Sequence, residues 1–192
     1  PFYLVVNIAD PHKPNFNDKE AQVSGADAYA PSRIIAEDEV TVPAFLPDLP
    51  GIRRDVRNYQ NSVKRADDAV GKIMAALRAS GFDEDTLVIF LSDHGSPFPF
   101  AKSSVYDNSL RTPLVMRWPG RIAPGSLEAD IVSTIDLMPT ILAAAGIAMP
   151  AASDYTGRSL LGASSPARAY AFGSFDENAR GYPVPMRGTI GR

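Results

Sequence analysis

Apolar positions are unevenly patterned along this chain. Residues 2–8, FYLVVNI, form a continuous apolar run closed by Asp10-Pro11, the mark of a strand buried on both faces. Residues 9–50 hold no sustained period and are rich in Pro, Asp and Asn. They read as a long surface excursion with a short extended piece near VTVPAFLP, and loops of that length serve function or mobility. From Ile52 the pattern turns helical, with Val56, Tyr59, Val63, Val70, Ile73, Met74 and Leu77 on one stripe. Ser80-Gly81 closes the helix, with Gly81 placed for a left-handed cap. Asp67 falls on the stripe, where a carboxylate needs a hydrogen-bond partner, and a structural tie to a neighbouring loop is expected of it.

The second half repeats the alternation. Residues 87–91 (LVIFL) predict a buried strand and PLVMRW (113–118) a short one, ended by Pro119-Gly120. IVST leads into a helix from Asp136 to Ala145 with Pro139 in its first turn and Gly146 after it. Residues 147–168 are an Ala-, Ser-, Gly- and Pro-rich connection, and RAYAFGSF (168–175) predicts a last strand. Strands alternating with helices point to an α/β fold with a largely parallel sheet flanked by helices.

Composition narrows the function classes. Of the 192 residues 45% are apolar and 21% charged, an ordinary globular balance. The net charge of -3 offers a phosphate backbone no attraction, so nucleic acid is not an expected partner. Without cysteine, disulfides, thiolate metal sites and a cysteine nucleophile within this chain are excluded. No apolar run approaches the ~18 residues of a membrane span. A core-type strand at residue 1 and the plain ending MRGTIGR lead us to expect a fragment of a larger fold.

Both histidines stand just past a predicted buried strand, in Asp10-Pro11-His12 and Asp93-His94-Gly95. Ligands of open α/β sheets collect at such strand ends. Asp93 and His94 offer one anionic oxygen and one neutral nitrogen to a divalent cation, and Gly95 keeps a side chain out of the turn. Two ligands are too few for a hard cation, so others must come from elsewhere. Lys102 follows in a loop stiffened by Pro97 and Pro99, and its ammonium suits a tetrahedral oxyanion.

In order, the blocks PFYLVVNIADPHKPN, the Tyr59–Leu77 helix, DTLVIFLSDHG, AKSSVYDNSLRTPLVMRWPGRI and IVSTIDLMPTILAAAGI resemble the sulfatase family of the alkaline phosphatase superfamily. PFPFAK and VPAFLPD look most like its N-sulfoglucosamine sulfohydrolase branch. The resemblance implies an alkaline-phosphatase-like α/β fold, incomplete in this chain. Residues 1–192 would form the central and C-terminal part of the main domain. It implies that Asp93 and His94 are metal ligands, that His12 contacts sulfate and assists the catalytic cycle, and that Lys102 binds a sulfate oxygen. Arg111, in the tyrosine-acid-x-x-Arg-x-Pro block, is given a structural or substrate-rim role. The implied cation is Ca2+, with Mn2+ or Zn2+ left open by the His94 nitrogen. The implied substrate is a sulfated small molecule or sugar, and the implied location is periplasmic, extracellular or lysosomal.

The family nucleophile is a formylglycine made from Cys or Ser in a C/S-x-P-x-R motif. Ala30-Pro31-Ser32-Arg33 only echoes it, with no Cys or Ser at the required place, and lies downstream of His12, whereas the family nucleophile lies upstream. The upstream aspartates of the metal site and a second lysine-histidine pair are also absent from this chain. Two other readings stand beside sulfate hydrolysis: a phosphate or phosphonate ester hydrolase of the same superfamily, and an inactive or carbohydrate-binding relative. Oligomeric state is not legible.

Overall fold

Two helices organise the N-terminal part of the chain, the short α1 (Lys19–Ser24) and α2 (Pro50–Ala79), which runs for 30 residues. The computed structural model describes residues 2–25, 28–150, 154–162, 168–177 and 181–191. They fall into two units, Pro1–Glu84 and Asp85–Arg192.

In the first unit α2 follows from its sequence. Pro50 sits at the first helical position, where its missing N–H costs nothing, and Gly81 takes φ +76° just past the C-terminus. At 1.5 Å per residue the helix is about 45 Å long. Its buried positions include Val56, Asn58, Asn61, Ser62 and Ala66, so much of the buried surface is polar. It lies part of the way round the helix from the expected apolar stripe, on which Val63 is 40% exposed.

The reason is the excursion of residues 9–50, which α2 holds through hydrogen bonds. Ser62 Oγ accepts from Phe16 N at 2.7 Å, and Asn58 Nδ2 donates to Asp18 Oδ1 at 3.0 Å. Asn61 meets both backbone groups of Ile35, accepting from its N at 2.8 Å and donating to its O at 3.3 Å. Asp68 accepts from Ser32 N and Ser32 Oγ, each at 2.7 Å. The Lys64 ammonium and the Ser32 donors hold the Asp68 carboxyl well below the usual carboxylate range. Asp67, expected to tie down a loop, instead points outward and pairs with Lys64 at 2.7 Å. Its neighbour Asp68 makes the loop tie.

Residues 2–8 depart from the buried-strand expectation. They belong to no ladder among the described residues, and Phe2 to Val6 are 49–73% exposed. A strand buried on both faces needs partners on its edges and layers on its faces. The described residues supply neither.

The second unit contains β1 (Val88–Leu91), the one-turn α3 (Asp107–Leu110), β2 (Leu114–Arg117), α4 (Leu137–Ala144), β3 (Tyr170–Glu177) and β4 (Pro183–Gly191). β1 and β2 pair antiparallel, Val88 opposite Arg117 and Leu91 opposite Leu114. β3 and β4 form an antiparallel hairpin. Both ladders among the described residues are therefore antiparallel, in contrast to the largely parallel sheet expected. Residues 92–113 return the chain for an antiparallel neighbour rather than carrying it across a face of the sheet, a choice that the alternation of strands and helices does not fix. Nor is β1 deeply buried, since Phe90 is 41% exposed. β4 lies in the tail that reads as plain in the sequence; its glycines at 188 and 191 weaken the strand signal.

The helix expected from Asp136 is found as a 3-10 turn, Thr134–Asp136, running into α4. It ends as the glycine at 146 suggests, with Gly146 N donating to Ala143 O and Ile147 N to Leu142 O, a Schellman closure. Asp136 is more than a helix start. Fully buried, it accepts from Arg168 Nη1 at 2.6 Å, Arg168 Nη2 at 2.7 Å, and the amides of Ser133 and Arg158 at 2.9 Å each. Burial alone pushes the Asp136 carboxyl up, but the Arg168 guanidinium and the two amides outweigh it and hold it below the usual range. Thr140 Oγ1 adds a bond from Leu160 N at 2.9 Å. The expected connection at 147–168 is thus anchored to the start of α4 where it is described; residues 151–153 and 163–167 lie outside the described residues.

Candidate active site

The loop leaving β1 carries Asp93 and His94 side by side. Ser92 starts it, its N donating to Pro113 O at 3.4 Å and its Oγ to His94 O at 2.8 Å. Asp93 Oδ1 accepts from His94 N at 2.9 Å. His94 Nδ1 lies 2.8 Å from Gly95 O. A carbonyl can only accept, so Nδ1 carries the hydrogen; in the neutral ring Nε2 then keeps its lone pair, the arrangement of a metal-ligating imidazole. That Nε2 stands 3.5 Å from Asp93 Oδ2, with the Asp93 side chain 84% exposed. An oxygen and a nitrogen lone pair thus converge where the strand has broken into a turn. The donor chemistry fits a divalent cation, in number only partly: no group of three or more His, Cys, Asp or Glu suited to a metal occurs among the described residues.

Gly95 is demanded by close packing. Its N donates to Ser109 O at 3.2 Å, and a methyl on its Cα would stand 1.9 Å from Asn108 O and 2.4 Å from Ala101 O. The residue after His94 therefore packs directly on the residue before Lys102. Ala101 is 1% exposed and Phe98 7%, so the loop has a small core of its own. Lys102 is half-buried and makes no hydrogen bond or ion pair among the described residues. On either side of it, Phe100 and Ser103 hold left-handed backbone, φ +66° and +56°. Such strain in residues with side chains persists only where the surroundings enforce it, and it collects at ligand sites.

His12 belongs to the first unit. It is exposed, its N donates to Ala9 O at 2.9 Å, and its Nδ1 donates to Lys13 O at 2.7 Å, which in the neutral ring leaves the lone pair on Nε2. Asp10 beside it is an anchor, paired with Arg65 Nη2 of α2 at 2.6 Å. Arg111 Nε pairs with Asp107 Oδ1 at 2.7 Å in an exposed i, i+4 contact, worth little to stability. Ser32, in the echo of the nucleophile motif, is occupied by Asp68.

The structure thus brings Asp93, His94 and the backbone beside Lys102 together within one loop. Sequence reasoning missed Ser92, which restrains the His94 backbone and is signalled only by its place before the pair. It also missed Asn108, which acts through its carbonyl and leaves no side-chain signal.

Comparison with known proteins places the chain in a family. The sulfatase family profile matches residues 1–147. Human N-sulphoglucosamine sulphohydrolase is 33% identical over 97% of this chain and 41% of its own length. An endo-4-O-sulfatase of Bacteroides thetaiotaomicron is 30% identical over 82% of this chain and 31% of its own. Among solved structures, one from work on glycosaminoglycan metabolism by Bacteroides thetaiotaomicron superposes with a TM-score of 0.69 at 25% identity, covering 95% of this chain and 40% of that one. Another, solved with its substrate D-glucosamine-2-N,6-O-disulfate, gives 0.62 at 25% identity over 73% of this chain and 31% of that one. The chain belongs to the sulfatase family, and its structural neighbours share the sulfatase α/β fold. It spans at most about two fifths of the length of these relatives.

Proposed function

We propose that this chain is the part of a sulfatase that supplies one side of its metal and sulfate site, and that the whole protein hydrolyses a sulfate ester or sulfamate of a sulfated sugar. The observation that carries the reading is the convergence of His94 Nε2 and Asp93 Oδ2, 3.5 Å apart, in a loop that packs through Gly95 onto the residue beside Lys102. Asp93 and His94 hold a divalent cation, Ca2+ by family resemblance. Such a cation supplies Lewis-acid polarisation of the sulfate oxygens. Lys102, free of other partners, offsets negative charge on a sulfate oxygen as the S–O or S–N bond breaks. His12, with Nε2 as its basic nitrogen, hydrogen-bonds sulfate or moves a proton to the departing group. The nucleophile is a formylglycine carried outside these 192 residues, along with the remaining metal ligands. A largely parallel sheet completed by those other segments would give residues 2–8 the neighbours they lack here and β1 one on its other edge. The names of the relatives support a sulfated sugar as substrate, and family resemblance supports a periplasmic, extracellular or lysosomal site of action. Among the described residues no helix is long and apolar enough to cross a membrane.

The test is hydrolysis of an aryl sulfate and of N-sulfoglucosamine by the full-length protein, with bound metal measured alongside. Asp93→Asn and His94→Ala should each lower metal content and turnover together, by at least about a hundredfold in turnover. Unchanged metal content and activity in both variants would remove this assignment.

A further inference from the structure

The segment 101–110 carries Lys102, and glycines meet it at two places. Gly95 meets it at the carbonyls of Ala101 and Asn108. The second place is the β3–β4 hairpin, where Gly173 and Gly188 are direct cross-strand partners. A methyl on Gly173 would stand 2.5 Å from Leu110 Cδ2 and 2.8 Å from Leu110 Cδ1. On Gly188 it would stand 2.9 Å from both Cβ and the carbonyl oxygen of Val105. Neither glycine has a positive φ, so backbone conformation does not call for them. Two facing glycines weaken a two-stranded ladder, and the usual reason is close approach of another part of the chain. Here they form a notch in which Val105 and Leu110 are seated.

We infer that the Gly173–Gly188 notch is a positioning element for Lys102. This rests on the reading in which Lys102 holds a sulfate oxygen. The lysine has a flexible stem and no partner of its own, so its ammonium is aimed chiefly by the backbone at 102. That backbone runs between Ala101, fixed against Gly95, and Val105, fixed against Gly188. The strained conformations at Phe100 and Ser103 need such outside restraint to persist. A cation held in place before the anion arrives costs no reorganisation when it binds. The two glycines are not equivalent. At Gly173 the obstacle is the far end of a leucine, which can rotate away, whereas at Gly188 it is backbone and Cβ, which cannot move without carrying the segment along. Gly188 is therefore the stronger determinant.

The experiment measures inorganic sulfate binding by calorimetry in the full-length protein, with thermal unfolding of each variant. Lys102→Ala should weaken sulfate binding about tenfold or more, the size of one charge-assisted hydrogen bond. If it binds as wild type does, the underlying reading of Lys102 fails. Given that loss, Gly188→Ala should weaken sulfate about fivefold, and should add nothing in a Lys102→Ala background, a non-additivity that simple destabilisation does not produce. Gly173→Ala should cost about twofold. Adding Leu110→Ala, which removes every leucine atom in the way, should restore it. If Gly188→Ala does not fold, the Gly173–Leu110 pair decides the matter. Wild-type sulfate binding in a folded Gly188→Ala protein, full additivity with Lys102→Ala, or no rescue of Gly173→Ala by Leu110→Ala would overturn the inference.

Discussion

Residues 9–50 and residues 92–111 are both long irregular stretches that follow an apolar run, yet they are held in opposite ways. The first is fastened by polar side chains reaching out from α2: Asn58, Asn61, Ser62 and Asp68 each satisfy groups of the excursion. The second is fastened by the absence of side chains, with Gly95 letting the backbone within contact of the carbonyls at 101 and 108. Side-chain fastenings can be removed one at a time, each at the cost of a hydrogen bond or two. A backbone contact at van der Waals limit has no such gradation, because any added atom displaces the segment. The excursion should therefore fail piecemeal and the β1 loop all at once.

Gly95→Ala is the sharpest way to break that comparison. The new methyl meets two backbone carbonyls, at 1.9 and 2.4 Å, and neither can rotate out of the way. Displacing the loop by about an ångström separates His94 from Lys102, and misplacement of that size costs about a hundredfold or more in turnover. Sulfate ester kinetics on the full-length variant check this. Turnover within a few-fold of wild type would show that the loop tolerates displacement.

The second unit also contains one side-chain fastening strong enough to compete, the buried Asp136–Arg168 pair. Arg168→Ala leaves a buried carboxylate with only two amide donors, and breaking such a pair costs about 3–5 kcal/mol. Denaturant unfolding should read this loss near neutral pH. The pH dependence has a fixed sign. Asp136 is held below its ordinary value in the folded protein, so its contribution is present above about pH 4 and is lost as pH falls through the folded value. The gap between wild type and Arg168→Ala should accordingly narrow in acid. A gap that widens below pH 4 would mean that Asp136 is not the group responsible.

The contrast also explains what was legible in the sequence. The extent of α2 was plain to within two residues because the helical period from Ile52 and the closing Gly81 define it, and Pro50 at its first position extends it only slightly. Its buried face was not, since Asn58, Asn61 and Ser62 are typical surface residues, buried here only because each meets a backbone or side-chain partner 26 to 46 residues away. Asp93, His94 and Lys102 stood out as candidates because their chemistry is in their side chains. The packing around them did not, because Gly95, Gly173 and Gly188 work through what they lack. The antiparallel pairing of β1 with β2 was hidden as well. Two short apolar runs separated by a loop have the same composition whichever way they pair, and the connection of residues 92–113 is long enough for either direction.

The smallest effect should come from a single fastening of the excursion, and Asn61 is the best one to remove. Fully buried, it pairs with the N–H and the C=O of Ile35 as a neighbouring strand would. Asn61→Ala strands both groups, at about 1–3 kcal/mol if they stay dry and less if water reaches them. Because Ser62, Asp68 and Asn58 hold the excursion at other points, the loss should stay local. Amide exchange at Ile35 and its neighbours should quicken by about tenfold or more while exchange in the middle of α2 stays as it was. Equal acceleration in both places would mean that the excursion and the helix open as one unit, and the contrast between piecemeal and all-at-once failure would then dissolve.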